Sequence, residues 1–408
     1  MRNSSYYNIF ADRINFNFMN SQKIFARALC VIALFTLLNK ATAQNTSVTG
    51  ANYISTAVPF LSITPDSRAG AMGNTGVATS ADHNSMFWNA AKYSFTKSEA
   101  GIGASYTPWL REITDDMSLS YLSGYYSLDK YQTIAASFRY FSLGDIFLQQ
   151  QADDIPIKKS PYELSIDVAY SRRLGDNFSG AIAFRYIFSD ISQGGFDNLS
   201  KTASAFAADL SVYHRKEYGS SHNPSVWSWG VNVSNIGSKI SYSDDSEKEF
   251  IPTNLRIGSS YKHQIDQYNS ITVSLDMNKL LVPSSSGRKI DDNDDDNLSS
   301  NINDKSVMSG IFSSFSDAPN GMSEEFKEIT WSLGLEYWYQ NQFAVRTGYF
   351  HENEDKGNRK FYTAGVGVKL SMFDLDFSYL IPSSQNNPLQ NTLRVSISAN
   401  LDLKSNRR

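Results

Sequence analysis

The chain has 408 residues, of which 41% are apolar, 19% charged and 13% aromatic. Only residues 28–38 are continuously apolar, well short of the ~20 residues a membrane-crossing helix needs, so a helical membrane bundle is excluded. The balance of 37 basic to 41 acidic residues, net −4, implies no polycationic nucleic-acid surface, and 25 Phe, 23 Tyr and 6 Trp are too many for a disordered chain. A chain poor in charge, rich in Tyr, Phe, Ser, Gly and Asn, and without a helical span fits an outer-membrane β-barrel.

The N-terminus reads as an export signal. Lys23 and Arg27 precede the apolar run Ala28–Leu38, and the small-residue site Ala41-Thr42-Ala43 follows, with Gln44 next. This three-part layout predicts a secretory signal peptide over 1–43, cleaved after Ala43. The segment ahead of the apolar run is long, and a start at Met19 would shorten it. Cleavage would remove Cys30, the only cysteine. The exported chain would then have no disulfide to stiffen it, and a closed sheet would supply rigidity instead. Residues 1–43 hold five basic groups and one acid, which leaves 32 basic and 40 acidic groups, net −8.

Residues 44–97 do not alternate. Gly70, Gly73 and Gly76 recur among Ala, Ser and Thr, a pattern that lets backbones approach closely. It is not the G-x-G-x-x-G of a nucleotide site, and no strand–helix unit surrounds it. A compact small-residue segment ahead of a barrel is expected to form a plug within the lumen.

From residue 98 the sequence alternates apolar and polar positions. Ile166, Val168 and Tyr170 share a face opposite Ser165, Asp167 and Ser171, and Ile182, Phe184, Tyr186 and Phe188 oppose Ala181, Ala183 and Arg185. Such alternation predicts strands. Strands are expected near 98–106, 116–127, 131–141, 162–171, 176–189, 203–216, 225–236, 254–263, 268–279, 329–340, 342–351, 361–370, 372–381 and 392–403, so the barrel over 98–408 has fourteen. The gaps alternate between roughly 9–49 residues at one rim and roughly 1–8 at the other, as expected when long outer loops face short periplasmic turns.

The polar faces carry Arg139, Glu163, Asp167, Arg185, Asp209, Asp276, Glu336, Arg346, Asp374, Asp376 and Arg394. An Arg or Lys on the lipid side costs ~2–4 kcal/mol at the bilayer midplane, so these charges are expected to point into the lumen. Trp109, Tyr125, Tyr140, Tyr186, Trp227, Tyr337, Trp338 and Tyr379 are expected in the aromatic girdles. The longest outer loop, 280–328, holds ten acids and four bases, and it includes the run Asp291–Asp296. That run fails as an EF-hand, because Asp296 and Ile302 stand where Gly and Glu are required. It reads as a solvated acidic loop that would attract a basic partner.

The block AVPFLSITPDSRAGAMGNTGVATSADHNSMFWNAAKYSF, residues 57–95, resembles the N-terminal signature of the PorV (LptO) family of the Bacteroidota type IX secretion system, within the FadL-like barrel superfamily. The match places Pro59, Arg68, Gly70, Gly73, Gly76, Trp88 and Asn89 in a structural plug motif. The family usually has proline where this chain has Ala90. The resemblance implies a non-enzymatic outer-membrane component without a cofactor. Its partners would be membrane lipids, translocon and attachment-complex proteins, and the C-terminal domains of secreted cargo, which it would shuttle to the surface attachment complex.

Two other readings carry their own expectations. A FadL-like channel for hydrophobic small molecules requires an apolar pocket between plug and wall and a lateral opening at a strand kink, for which Gly180, Gly230, Gly334 and Gly348 are available. A lipopolysaccharide deacylase, a role also linked to the family by name, requires a Ser–His pair and an acid at the barrel rim. His351 with Glu352 is the rim candidate. No G-x-S-x-G elbow or H-x₃-H metal spacing occurs.

Overall fold

The computed structural model describes residues 54–149, 155–191, 202–220, 223–242, 248–284, 304–318, 320–384 and 387–402. The expected signal segment and the Asp291–Asp296 run lie outside these residues.

Among the described residues sixteen strands form: β1 Ala100–Pro108, β2 Ser118–Ser127, β3 Gln132–Ser142, β4 Ile146–Leu148, β5 Ile157–Lys159, β6 Tyr162–Arg173, β7 Phe178–Asp190, β8 Ala203–Ser220, β9 Asn223–Gly237, β10 Asn254–Gln264, β11 Asn269–Leu280, β12 Thr330–Tyr339, β13 Phe343–His351, β14 Lys360–Leu370, β15 Phe373–Pro382 and β16 Leu393–Leu401. Fourteen of them close into one barrel, and β4 with β5 makes a separate ribbon in the connection after β3. Each of the fourteen expected strands is present, with its ends within four residues of the expected ones. The first and last strands seal the ring in antiparallel register, from Ala100 opposite Leu401 to Tyr106 opposite Val395. A closed ring leaves no unpaired sheet edge, and in lipid that satisfies every ladder group.

Burial along the strands is inverted relative to a soluble protein. On β6, Ile166, Val168 and Tyr170 are exposed while Ser165, Asp167 and Ser171 are buried, and on β16 exposed Leu393 and Ile397 flank buried Arg394 and Ser396. In water this arrangement would forfeit the hydrophobic driving force. Around a barrel in a bilayer, the apolar band meets acyl chains and the polar side faces inward.

The rims differ. The connections 128–131, 174–177, 221–222, 265–268, 340–342 and 371–372 are all four residues or shorter. Two are closed alike: Asp129 accepts from the Tyr131 and Gln132 amides, and Asp266 from those of Tyr268 and Asn269. The bond from the Tyr131 amide holds the Asp129 carboxyl below the usual carboxylate range. The opposite, outer rim carries the long connections. Among the described residues of the longest, two helical turns form, α3 Val307–Ser313 and α4 Met322–Lys327. Neither these turns nor the β4–β5 ribbon is expected from alternation, which reports only the barrel wall.

Three expected girdle residues lie elsewhere. Tyr125 is buried and packs on Tyr93 at 5.4 Å. Trp338 lies under the Arg346 guanidinium at 5.4 Å. Trp109 packs against an apolar cluster with Phe60, Leu119, Phe141 and Ile251. In the first two, strand parity turns the ring inward, and parity overrides aromatic preference.

Candidate functional site

Residues 54–97 contact strands around the whole ring, which places them inside it. Two short turns, α1 Ser67–Gly70 and α2 Ser85–Trp88, are the segment's α-helical pieces. Asp66 caps α1 through the Ala69 amide at 2.8 Å, and its other oxygen accepts from the Trp88 indole at 2.8 Å. Plug and barrel fall within one compact unit, Gly50–Arg408.

The segment runs the length of the lumen. At its start, the Ala57 amide donates to the Phe250 carbonyl at 2.9 Å in the outer connection after β9. Pro59, itself exposed, opens a single turn whose Phe60 and Leu61 pack with Leu119, Phe141 and Ile187 near the outer ends of their strands and with Ile251 in the connection after β9. At its end, residue 97 lies close to β1 at the short-turn rim.

Glycine on both partners lets the plug backbone touch the wall. A Cβ on Gly348 would stand 2.1 Å from the Gly73 nitrogen, one on Gly334 2.7 Å from the Met72 carbonyl, and one on Gly230 2.9 Å from the Val77 carbonyl. Gly73 has φ +66°, and its own Cβ would meet the Tyr349 backbone at 2.6 Å. Only glycine fits such a contact. Gly230, Gly334 and Gly348 therefore seat the plug. At Gly180 a Cβ would meet only ordinary contact, with Leu174 at 3.4 Å.

Polar bonds fix the seated plug. Asp276 accepts from the Gly76 and Val77 amides at 2.7 and 2.9 Å, and buried Lys92 donates to the Gly76 carbonyl at 2.7 Å. Asn89 spans plug and wall, donating to the carbonyls of Val77 at 3.2 Å and Val212 at 2.9 Å. Arg68 forms a two-pronged pair with Glu336, both bonds 3.0 Å, and a third bond to Asp82 at 2.8 Å. Glu336 also accepts from Arg346 at 2.8 Å, and Arg346 pairs with Asp376 at 2.6 Å. Gly70 packs against the Arg394 side chain, Gly76 against the Trp88 ring, and Arg394 donates to the Thr64 carbonyl at 3.3 Å.

The opposite wall carries a second network. Arg185 bridges Asp167 and, at 3.0 Å, Asp209, and Arg139 lies 3.8 Å from Asp167. This network reaches the plug where Arg139 donates to the Leu61 carbonyl at 3.1 Å. Glu163 accepts from Ser189 at 2.9 Å. Asp374, half-buried near the short-turn rim, accepts from Asn400 at 2.8 Å. Alternation could have found Arg256, which sits between the apolar pair Leu255 and Ile257, donates to the Phe87 carbonyl at 2.7 Å and covers the Phe87 ring. Lys92, Asp66 and Asp82 lie in a segment without period, so no pattern marks them.

At the outer rim, Lys279 binds Glu325 at 2.9 Å and Glu328 at 2.5 Å, and Lys356 binds Glu324 at 2.6 Å and Glu328 at 3.1 Å. These pairs are nearly all buried, and they fasten α4 to the barrel. Nearby, Glu352 is held by Arg359 at 2.6 and 2.7 Å, while His351 stacks on Trp331 and lies 3.3 Å from the Tyr349 hydroxyl. The carboxylate of the deacylase candidate is thus engaged by an arginine. Among the described residues, no group of His, Cys, Asp and Glu could hold a metal ion.

The family of the type IX secretion system protein PorV matches residues 45–287, more than half of the chain. No curated protein matches it. Solved structures with a similar course include the toluene transporter TodX of Pseudomonas putida (11% identity, TM-score 0.44, covering 86% of this chain and 98% of that one). The toluene transporter TbuX of Ralstonia pickettii is similar too (8%, 0.41, 82% and 96%), as is a FadL homologue of Pseudomonas aeruginosa (11%, 0.39, 87% and 100%). Likeness at that level says nothing about ligand or mechanism. The chain belongs to the family of the type IX secretion system protein PorV, an outer-membrane β-barrel component of that system.

Proposed function

We propose that this barrel binds the C-terminal domains of exported proteins at its outer rim and passes them to the surface attachment complex, without chemistry of its own. On this reading, residues 1–43 are removed during export, the segment from 44 to 97 is a fixed plug, and the inward charges hold that plug and line no passage. One observation carries it: plug and wall meet backbone to backbone at Gly73 and Gly348. A lumen closed in this way leaves the long outer connections as the working surface. There, exposed backbone and adaptable loops suit the pairing of one β-structured domain with another.

The test is cargo capture by cells expressing the chain without residues 142–161 and 280–328. Loss of capture, with the barrel still folded and membrane-inserted, is expected. Unchanged capture would contradict the proposal. An apolar hollow of about 360 Å³ among Ala104, Tyr106, Leu122, Phe138, Val395 and Ile397 opens on the lipid-facing side of the wall, not between plug and wall. That leaves the channel reading resting on transport alone. It requires that a radiolabelled fatty acid or aromatic hydrocarbon cross vesicles containing the purified protein.

A further inference from the structure

Most exposed apolar side chains of this molecule belong to the lipid band, and among those that do not, one set is grouped on two short helices. Within residues 308–326 of the longest outer connection, Met308, Phe312, Phe315, Met322 and Phe326 are all exposed, Phe312 at 70% and Phe326 at 65%. Soluble surfaces rarely display so many large apolar groups without a use for them. Their supports are rigid. Ser306 caps α3 through the Ser309 amide, and Gly310 packs against the Phe250 ring and Pro283. On the other helix Glu324 and Glu325, and just past its end Glu328, are tied to Lys279 and Lys356. Asp317, its carboxyl pushed up by burial, accepts from the Ser284 amide at 3.1 Å and holds the turn between them. The helices are thus held in place before any partner arrives, which lowers the entropy cost of docking.

We infer that Phe312 and Phe326, with Met308, Phe315 and Met322, form the contact surface for cargo, and that the cargo face it fits is apolar and ringed by Lys or Arg. The inference rests on the proposed cargo-binding function and names its surface. Charge identifies the partner: residues 280–328 hold ten acids and four bases, and with Lys279 and Lys356 counted against them four acids remain in excess, so a basic domain is drawn to this loop and an acidic one repelled. Composition adds breadth. Met is unbranched and polarisable and adapts to differently shaped partners, and a component serving many cargoes needs that tolerance. A lipid leaflet with anionic headgroups fits the acidic loop poorly.

The test places a photo-crosslinking amino acid at Phe312, and separately at Phe326, in the full chain, in cells that secrete a tagged cargo domain. An adduct with that domain is expected, and higher salt should reduce its yield severalfold in isolated membranes. An adduct with lipopolysaccharide, with a second copy of this chain or with residues 285–303 of the same chain would overturn the inference. The double variant Phe312→Ser/Phe326→Ser should lower cargo co-purification at least tenfold while the barrel still resists heat in detergent. If the double variant captured cargo as the parent does, the surface would be wrong and the function would stand. If the parent itself captured none, both would fall.

Discussion

The two sides of the lumen hold charge in different ways. Across β3, β6, β7 and β8, arginines and aspartates satisfy one another within the wall: Arg185 lies between Asp167 and Asp209, with Arg139 beside them. Across β12 to β15, the wall instead combines glycines with a charge that waits for the plug, since Glu336 takes Arg68 as well as Arg346. The first side is a brace paired within the wall that touches the plug through Arg139 and the Leu61 carbonyl. The second is a socket in which Glu336 keeps Arg346 within the wall and gains its two-pronged partner only when Arg68 occupies it. Buried charge of similar composition therefore serves wall rigidity on one side and plug retention on the other.

That contrast can be broken most sharply on the brace side. Asp167→Ala leaves Arg185 and Arg139 short of a buried partner and should destabilise the barrel by about 3–5 kcal/mol. Urea unfolding followed by tryptophan fluorescence would read it, and an unchanged midpoint would refute the brace. On the socket side, Gly348→Val forces a side chain into the Gly73 backbone and should cost about 1–3 kcal/mol, as overpacking does. Here the fault should appear as protease sensitivity of residues 54–97 in a barrel that remains closed. Arg68→Ala should have an effect of the same kind and size, about 1–3 kcal/mol for unsatisfied polar partners, limited because Glu336 keeps Arg346 and Asp82 is only partly buried. Proteolysis of the plug, with the unfolding midpoint of the wall little changed, is the expected pattern. The mildest change is a label. Ser55 is exposed, beside Ala57 at the outer rim, so Ser55→Cys should react with an impermeant maleimide on intact cells, whereas Lys130→Cys in a short turn should not.

The wall was legible because its physics is periodic. Alternation marked fourteen strands, and the polar positions it singled out at Asp167, Arg185 and Arg394 are buried. Aromatic rings were harder. Tyr125 and Trp338 are chemically suited to an interface, but their parity points them at Tyr93 and Arg346. The plug gave glycines at a spacing of three without their partners, because Gly348 and Gly334 lie more than 250 residues away in the chain. Lys92 and Asp82 carry no local signal of burial. Their positions follow from tertiary contacts that no sequence period encodes.

The central claim, that the plug stays seated while the protein works, can be tested with one lock. Ser67 and Ser396 meet hydroxyl to hydroxyl at 3.0 Å across plug and wall, and Cys30 is the chain's only cysteine. Cargo capture by the Ser67→Cys/Ser396→Cys variant should be measured oxidised and after reduction. Equal capture in both states is expected of a fixed plug. Capture that is lost on oxidation and restored by reductant would mean that the plug must move, and the account would be wrong.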